Sequence, residues 1–276
     1  MTKNVEAVVF DWAGTTVDFG SFAPVRSFVE VFRQKGIEIT TEEARKPMGL
    51  LKIDHTRELL RMERISGLWV KQFGKEADEQ DVKNLYSAFK PMLLEVLKND
   101  KRFSTPVPGM VELLEKLRAK GIKVGSTTGY TREMIDIVAS QAREHGYKSD
   151  SIVTSDEVPS GRPYPWMCYQ TAINLEVYPF EQMVKVGDTV TDIEEGVNAG
   201  MWSVGILKGG SELGLSEQEV KEMDAETLAE KMKDAAGRFK QAGAHFVIED
   251  IAELDSVIEH INNHLQKGQG DYVYAK

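Results

Sequence analysis

The 276-residue chain carries 44 acidic against 34 basic residues, a formal net charge of −10, which argues against nucleic acid or an anionic membrane as its main partner. With 41% hydrophobic and 28% charged residues it reads as an ordinary globular enzyme of one domain with an insertion, or of two domains. No apolar run approaches the roughly 20 residues of a bilayer span. The single cysteine, Cys168, permits no intrachain disulfide and suits a reducing compartment, and Met1-Thr2-Lys3-Asn4 leads into a strand without a signal-peptide pattern, so a cytoplasmic location is expected.

Residues 5–10 form an apolar run that ends at Asp11, followed by small and hydroxyl residues, Ala13-Gly14-Thr15-Thr16. That is the pattern of a buried strand and a tight loop. Phe22, Val25, Val29 and Phe32 then recur at helical spacing, and Gly36 stops them. Helical patterning persists to about Arg102, with amphipathic stretches from Lys52 to Arg64 and from Asp81 to Lys98. From Pro106 strands and helices alternate. Strands are expected at 122–126, 151–154, 183–186, 202–206 and 245–248, with single helices between most of them and a helix after Thr131. The expectation is an α/β, doubly wound, mostly parallel sheet, its core at 1–20 and 103–276, with an all-helical cap at 21–102. The end, Gly268-Gln269-Gly270-Asp271, reads as a loose tail.

Four stretches fall where strands should end, and ligands of open parallel sheets bind there. They are Asp11, Thr127-Thr128-Gly129, Gly161-Arg162-Pro163 and Gly187-Asp188-Thr189-Val190-Thr191-Asp192. Together they suit a phosphate and a cation: an acid able to attack phosphorus, hydroxyls and free amides at a helix start, a guanidinium, and paired carboxylates.

In this order the four stretches resemble the motifs of the haloacid dehalogenase superfamily. The resemblance implies a HAD-like core with Asp11 as nucleophile, Thr127 as the phosphate-binding hydroxyl, with Thr128 and Gly129 beside it, and Arg162 as the cation. It also implies Mg²⁺ held by Asp11, the Ala13 carbonyl and Asp188, with Asp192 as a ligand or as a support for Asp188. The chain departs from the common phosphatase pattern at Ala13, where the usual aspartate protonates an ester leaving group. A carbon leaving group needs an electron sink instead, which a lysine imine supplies.

Pro47-Met48-Gly49-Leu50-Leu51-Lys52-Ile53-Asp54-His55, together with the Asp11 and Arg162 stretches, resembles the phosphonatase family, the phosphonoacetaldehyde hydrolases. This implies hydrolysis of the carbon–phosphorus bond of phosphonoacetaldehyde to acetaldehyde and phosphate through a Lys52 Schiff base. Met48 would line the substrate pocket. His55, one turn beyond Lys52, would move protons or pair with an acid. Ser21 and Tyr130 could approach the aldehyde from the loops at the domain junction. The resemblance also implies a homodimer, and Phe22, Phe28, Val29 and Phe32 exceed what one helix face needs, so two caps could pair through them. Two rival readings remain open: a sugar-phosphate phosphatase or mutase on the same scaffold, and a non-catalytic phosphate-binding protein. Cys168 reads as a small buried residue and His260/His264 as a solvated helix face.

Overall fold

The computed structural model describes residues 4–267, so the expected loose tail at 268–271 lies outside the described residues. The chain opens with strand β1 (Ala7–Phe10), whose four residues are all fully buried. A continuous apolar run of this kind is what a strand covered on both faces requires. Five helices follow without a strand: α1 (Phe22–Arg33), α2 (Thr41–Arg45), α3 (Lys52–Arg61), α4 (Glu63–Phe73) and α5 (Glu79–Asn99). The chain then alternates through α6 (Met110–Ala119), β2 (Lys123–Thr128), α7 (Arg132–Glu144), β3 (Ser151–Thr154), α8 (Trp166–Leu175), β4 (Met183–Gly187), α9 (Val190–Asn198) and β5 (Trp202–Ile206). It closes with α10 (Glu217–Glu222), α11 (Ala225–Gln241), β6 (Phe246–Ile248) and α12 (Leu254–Gln266).

The six strands form one parallel sheet in the order β3-β2-β1-β4-β5-β6. β1 lies between β2 and β4, with Phe10 opposite Ser126 and Val186. The order reverses at β1, so the crevice beyond its carboxyl end is the place where such a sheet binds ligands. α9 presses closely on β4. A Cβ added at Gly196 would stand 2.8 Å from Lys185 Cβ, which explains glycine there and seats the inner face of α9 under the end of the sheet.

The helical insertion leaves and re-enters the core at adjacent points, Val17 bridging to Pro106 and Val107 N–H donating to Thr16 O at 2.9 Å. Asp18 begins it: its carboxylate accepts from Phe22 N and Ala23 N, both at 3.0 Å, and so satisfies the first free amides of α1. Burial, only partly offset by those bonds, pushes the Asp18 pKa up to about 7.

The structure corrects four local expectations. The strand after Gly121 runs on to Thr128, two residues past its expected end. The stretch from Lys52 to Arg64 is two helices, broken at Met62, whose ψ of 128° is extended. Thr131 occupies the position before α7, but its hydroxyl has no partner, and Asp156 accepts from Arg132 N instead. Phe28 and Phe32 are not surplus. Both are fully buried inside the insertion, where Phe28 stacks on Phe89 at 4.0 Å, so they offer nothing to a second copy. The expected solvated face of the last helix holds at His260, which is exposed with its ring edge-on to Phe246, while His264 is half-buried edge-on to Trp202. Among the described residues no helix is long and apolar enough to cross a membrane.

Candidate active site

Asp11 directly extends β1. Its N–H still bonds to Val186 O, at 2.9 Å, so the backbone keeps sheet register while the side chain leaves the sheet end. Asp188 stands in the same position beyond β4. Their carboxylates and that of Asp192, in the first turn of α9, bring one oxygen each within 4.8 Å of one another, all three buried. Arg162 closes the group from the loop after β3, donating from Nη2 to Asp11 Oδ1 at 2.7 Å.

These acids are not equivalent. Burial raises the pKa of Asp11, with Arg162 opposing. Asp188 is pushed up to about 8, by burial first and then by the charges of Asp11 and Asp192. Among the described residues its oxygens accept only from neutral donors, Thr15 Oγ1 at 2.8 Å and Ser211 N at 2.7 Å. Asp192 is also buried, but Arg162 and Lys185 outweigh that and hold its pKa down; Lys185 Nζ lies at 2.6 Å and Thr189 Oγ1 at 2.6 Å.

Hence Asp11 and Asp188 lack enough compensating charge for both to ionise easily, while Asp192 is held ionised by its two cations. The clustered hard oxygens of these acids could hold a divalent cation such as Mg²⁺, whose charge would favour their ionised forms, and Ala13 lies at the same cavity.

The insertion covers this group. Leu50 O and Gly49 O approach Gly129 so closely that a Cβ there would lie 2.8 and 3.0 Å from them, and Thr191 Oγ1 reaches Met48 O at 3.4 Å. The cavity left between insertion and core is about 20 Å³, space for about one water. Asp11 and Arg162 line it from the core, and Met48 and Lys52 from the insertion.

Lys52 is the first residue of α3 and is 3% exposed. Its Nζ makes no ion pair among the described residues. It sits 3.8 Å from Met48 Sδ and 5.4 Å from the centre of the Tyr130 ring. Burial pulls its pKa down to about 8, with the Asp11 charge opposing. A buried, largely unpaired amine beside a carboxylate cluster can act as a nucleophile near neutral pH.

His55 shares the face of Lys52 but pairs with no acid among the described residues. Its Nε2 lies 2.9 Å from Ala44 O, its ring stacks on Phe28, and Nδ1 is buried without a partner. Burial and the Lys52 charge hold it neutral, well below its usual pKa. Ser21 Oγ and Tyr130 OH are also buried without partners among the described residues, and both residues line the cavity. Cys168 is buried, its thiol pKa raised by burial.

One expected residue is misplaced. Thr127 does not line the cavity; its hydroxyl turns behind Arg162, donating to Glu195 Oε2 at 3.0 Å. Thr128 and Gly129 line the cavity instead. Because strand neighbours point to opposite faces, a one-residue difference in register exchanges the two threonines.

Sequence reasoning also missed Lys185 and Glu195, fully buried partners of Asp192 and Arg162. Signals existed for both. A lysine inside the apolar run Met183–Val186 demands a buried acid, and Glu195 stands three residues after Asp192 on one helix face.

A parallel sheet with a helical insertion after its first strand, and acids at two adjacent strand ends beside a buried cation, defines a hydrolase of the haloacid dehalogenase type. The chain matches the haloacid dehalogenase-like hydrolase family over residues 5–200 and a second HAD-hydrolase-like family over 160–254. It is 56% identical to a phosphonoacetaldehyde hydrolase of Bacillus cytotoxicus, over 93% of this chain and 96% of that protein. It is 54% identical to a bifunctional phosphonoacetaldehyde hydrolase/aminoethylphosphonate transaminase of Clostridioides difficile, over 98% of this chain but 43% of that longer protein. The crystal structure of a phosphonoacetaldehyde hydrolase-like protein from Oleispira antarctica superposes with a TM-score of 0.94 at 41% identity, over 97% of this chain and 96% of that one. The chain is an enzyme and belongs to the phosphonoacetaldehyde hydrolase family.

Proposed function

We propose that this enzyme cleaves the carbon–phosphorus bond of phosphonoacetaldehyde, giving acetaldehyde and phosphate, with Lys52 as the imine-forming amine and Asp11 as the phosphoryl acceptor. The observation that carries the reading is the buried amine of Lys52, with no ion pair among the described residues, sharing a small cavity with the Asp11 carboxylate. Ala13 at that cavity offers no proton to an ester oxygen, which favours a leaving group that needs none.

Neutral Lys52 Nζ adds to the aldehyde carbon, and the carbinolamine takes up one proton and loses water to leave a protonated imine. An Asp11 oxygen bonds to phosphorus while the C–P electron pair passes toward the imine nitrogen, leaving an enamine and an aspartyl phosphate. Protonation at carbon and hydrolysis free acetaldehyde and Lys52; water then releases phosphate from Asp11. With a pKa of about 8, about a tenth of Lys52 is neutral at pH 7, against roughly 0.03% at the ordinary 10.5. Arg162 binds and orients phosphoryl oxygen, with Thr128 and Gly129 facing the same space. A Mg²⁺ ion held by Asp11, Asp188 and the Ala13 carbonyl would supply the positive charge that lets one anion approach another.

A cavity of about 20 Å³ cannot admit the substrate, so the helical block at 21–102 opens as a lid and closes over it, excluding water. Neutral His55 is available to pass protons through Nδ1. A cytoplasmic location and a homodimer belong to the same proposal, Val70 and Phe73 on α4 being exposed apolar side chains of the insertion. Sedimentation that shows only monomer at working concentration removes the dimer.

The test is phosphate release from phosphonoacetaldehyde with and without Mg²⁺, and borohydride reduction in its presence followed by peptide mass mapping. Mg²⁺-dependent release and an adduct on Lys52 are expected. An adduct on another lysine, or none, defeats the assignment. Turnover of simple phosphate esters with Lys52→Ala nearly harmless would favour the phosphatase alternative, and binding without turnover the non-catalytic one.

A further inference from the structure

Behind the cavity floor lies a carboxylate that the reaction scheme does not use. Glu195 is fully buried on α9, one turn beyond Asp192. Its Oε2 accepts from Arg162 Nε at 2.8 Å and from Thr127 Oγ1 at 3.0 Å, and stands 3.6 Å from Lys185 Nζ. Thr127 in turn accepts from Arg162 Nη2, through Oγ1 and through its backbone oxygen, both at 2.9 Å. A guanidinium is planar and rigid, so holding Nε and Nη2 fixes the whole fork. Held in this way, Nη2 arrives 2.7 Å from Asp11 Oδ1.

Charge balance alone does not call for this residue. Asp192 already pairs with Lys185 at 2.6 Å and with Arg162 at 3.1 Å. Glu195 adds a fourth buried acid to Asp11, Asp188 and Asp192, and burying a further anion is unfavourable unless its bonds are specific. One of its bonds is to Arg162 Nε, and the other holds the Thr127 hydroxyl that Arg162 Nη2 meets.

We infer that Glu195 is a positioning residue, which acts through Arg162 Nε and the Thr127 hydroxyl to aim Arg162 Nη2 at the face of Asp11 where the phosphoryl oxygen arrives. This rests on the proposed roles of Asp11 and Arg162. It gives Thr127 a function behind the guanidinium and leaves contact with the phosphoryl group to Thr128 and Gly129.

The probe is inorganic phosphate, its affinity measured by calorimetry with Mg²⁺ present, beside steady-state rates on phosphonoacetaldehyde. Glu195→Ala is expected to raise the phosphate Kd at least about tenfold and lower kcat at least about thirtyfold. Glu195→Gln keeps an acceptor of the same reach and returns both to within about fivefold of the parent enzyme. A residue that only fills space would lower the melting temperature and leave phosphate affinity alone. An unchanged phosphate Kd in folded Glu195→Ala, or a Gln variant no better than Ala, overturns the inference. Should Glu195→Ala fail to fold, Glu195→Asp decides: it keeps the charge and shortens the reach, so the Kd should rise at least about fivefold, and an unchanged Kd overturns the inference. Borohydride trapping of acetaldehyde on Lys52 in the parent enzyme reports separately. Its failure would remove the Lys52 reading without altering the phosphate measurement.

Discussion

Replacing Lys52 by methionine should make the protein more stable while abolishing turnover. Lys52 is 3% exposed and pairs with no acid among the described residues, and burial takes its pKa from 10.5 to about 8. The folded state therefore holds the proton less tightly than the unfolded state, by about 2.5 pKa steps. At roughly 1.36 kcal/mol per step this is about 3 kcal/mol of destabilisation at neutral pH, where both states are mostly protonated. Methionine has similar length and no charge, so it removes that penalty. For a chain of this size the gain corresponds to roughly 5 °C in melting temperature.

The pH dependence gives the sharper test. Between about pH 8 and 10.5 the unfolded state binds more protons at Lys52, so parent stability rises with pH and its deficit against Lys52→Met closes. Thermal melts of both proteins from pH 7 to 10.5, without added divalent ions, measure this directly. A Met variant less stable than its parent at pH 7, or a difference that does not shrink as pH rises, refutes the claim that burial is what poises this amine.

Ala13→Asp places an acid at the cavity, and hydrolysis of an alkyl phosphate monoester should rise at least about tenfold, measured as released phosphate. Gly129→Ala puts a Cβ 2.8 Å from Leu50 O, so the insertion cannot seat, and kcat/KM should fall at least about tenfold with little change in melting temperature. Added Mg²⁺ should raise the melting temperature of the parent, and Asp188→Asn should lose that increment. Because the Asp188 pKa is raised from 3.8 to about 8, this carboxyl stabilises the metal-free protein at low pH and that contribution is lost as pH climbs through 8. The Mg²⁺ increment should therefore grow over the same range, which melts at pH 6, 7 and 8 would show.

The placement of Asp11, Arg162 and Asp188 could be read from the chain because it depends on local pattern. Each follows, or lies in the loop after, a short apolar run, and in a parallel sheet every such run delivers its end to one edge. The run of helices after β1 was equally legible, since 3.6-residue periodicity without β-branched runs needs no distant partner. The family resemblance joined Lys52 to Asp11, though 41 positions separate them in the chain.

Tertiary structure decided what depended on register and long-range pairing. Thr128, and not Thr127, faces the cavity because β2 pairs Thr127 with Val153 and Thr128 with Thr154, a match no local pattern specifies. Phe28 and Phe32 turned inward because α5 brought Phe89 against α1. Arg162 took its direction from Glu195, 33 residues later, and Asp11, 151 residues earlier. Their ion pairs exist only once the sheet has formed, since only burial makes each charge require the other.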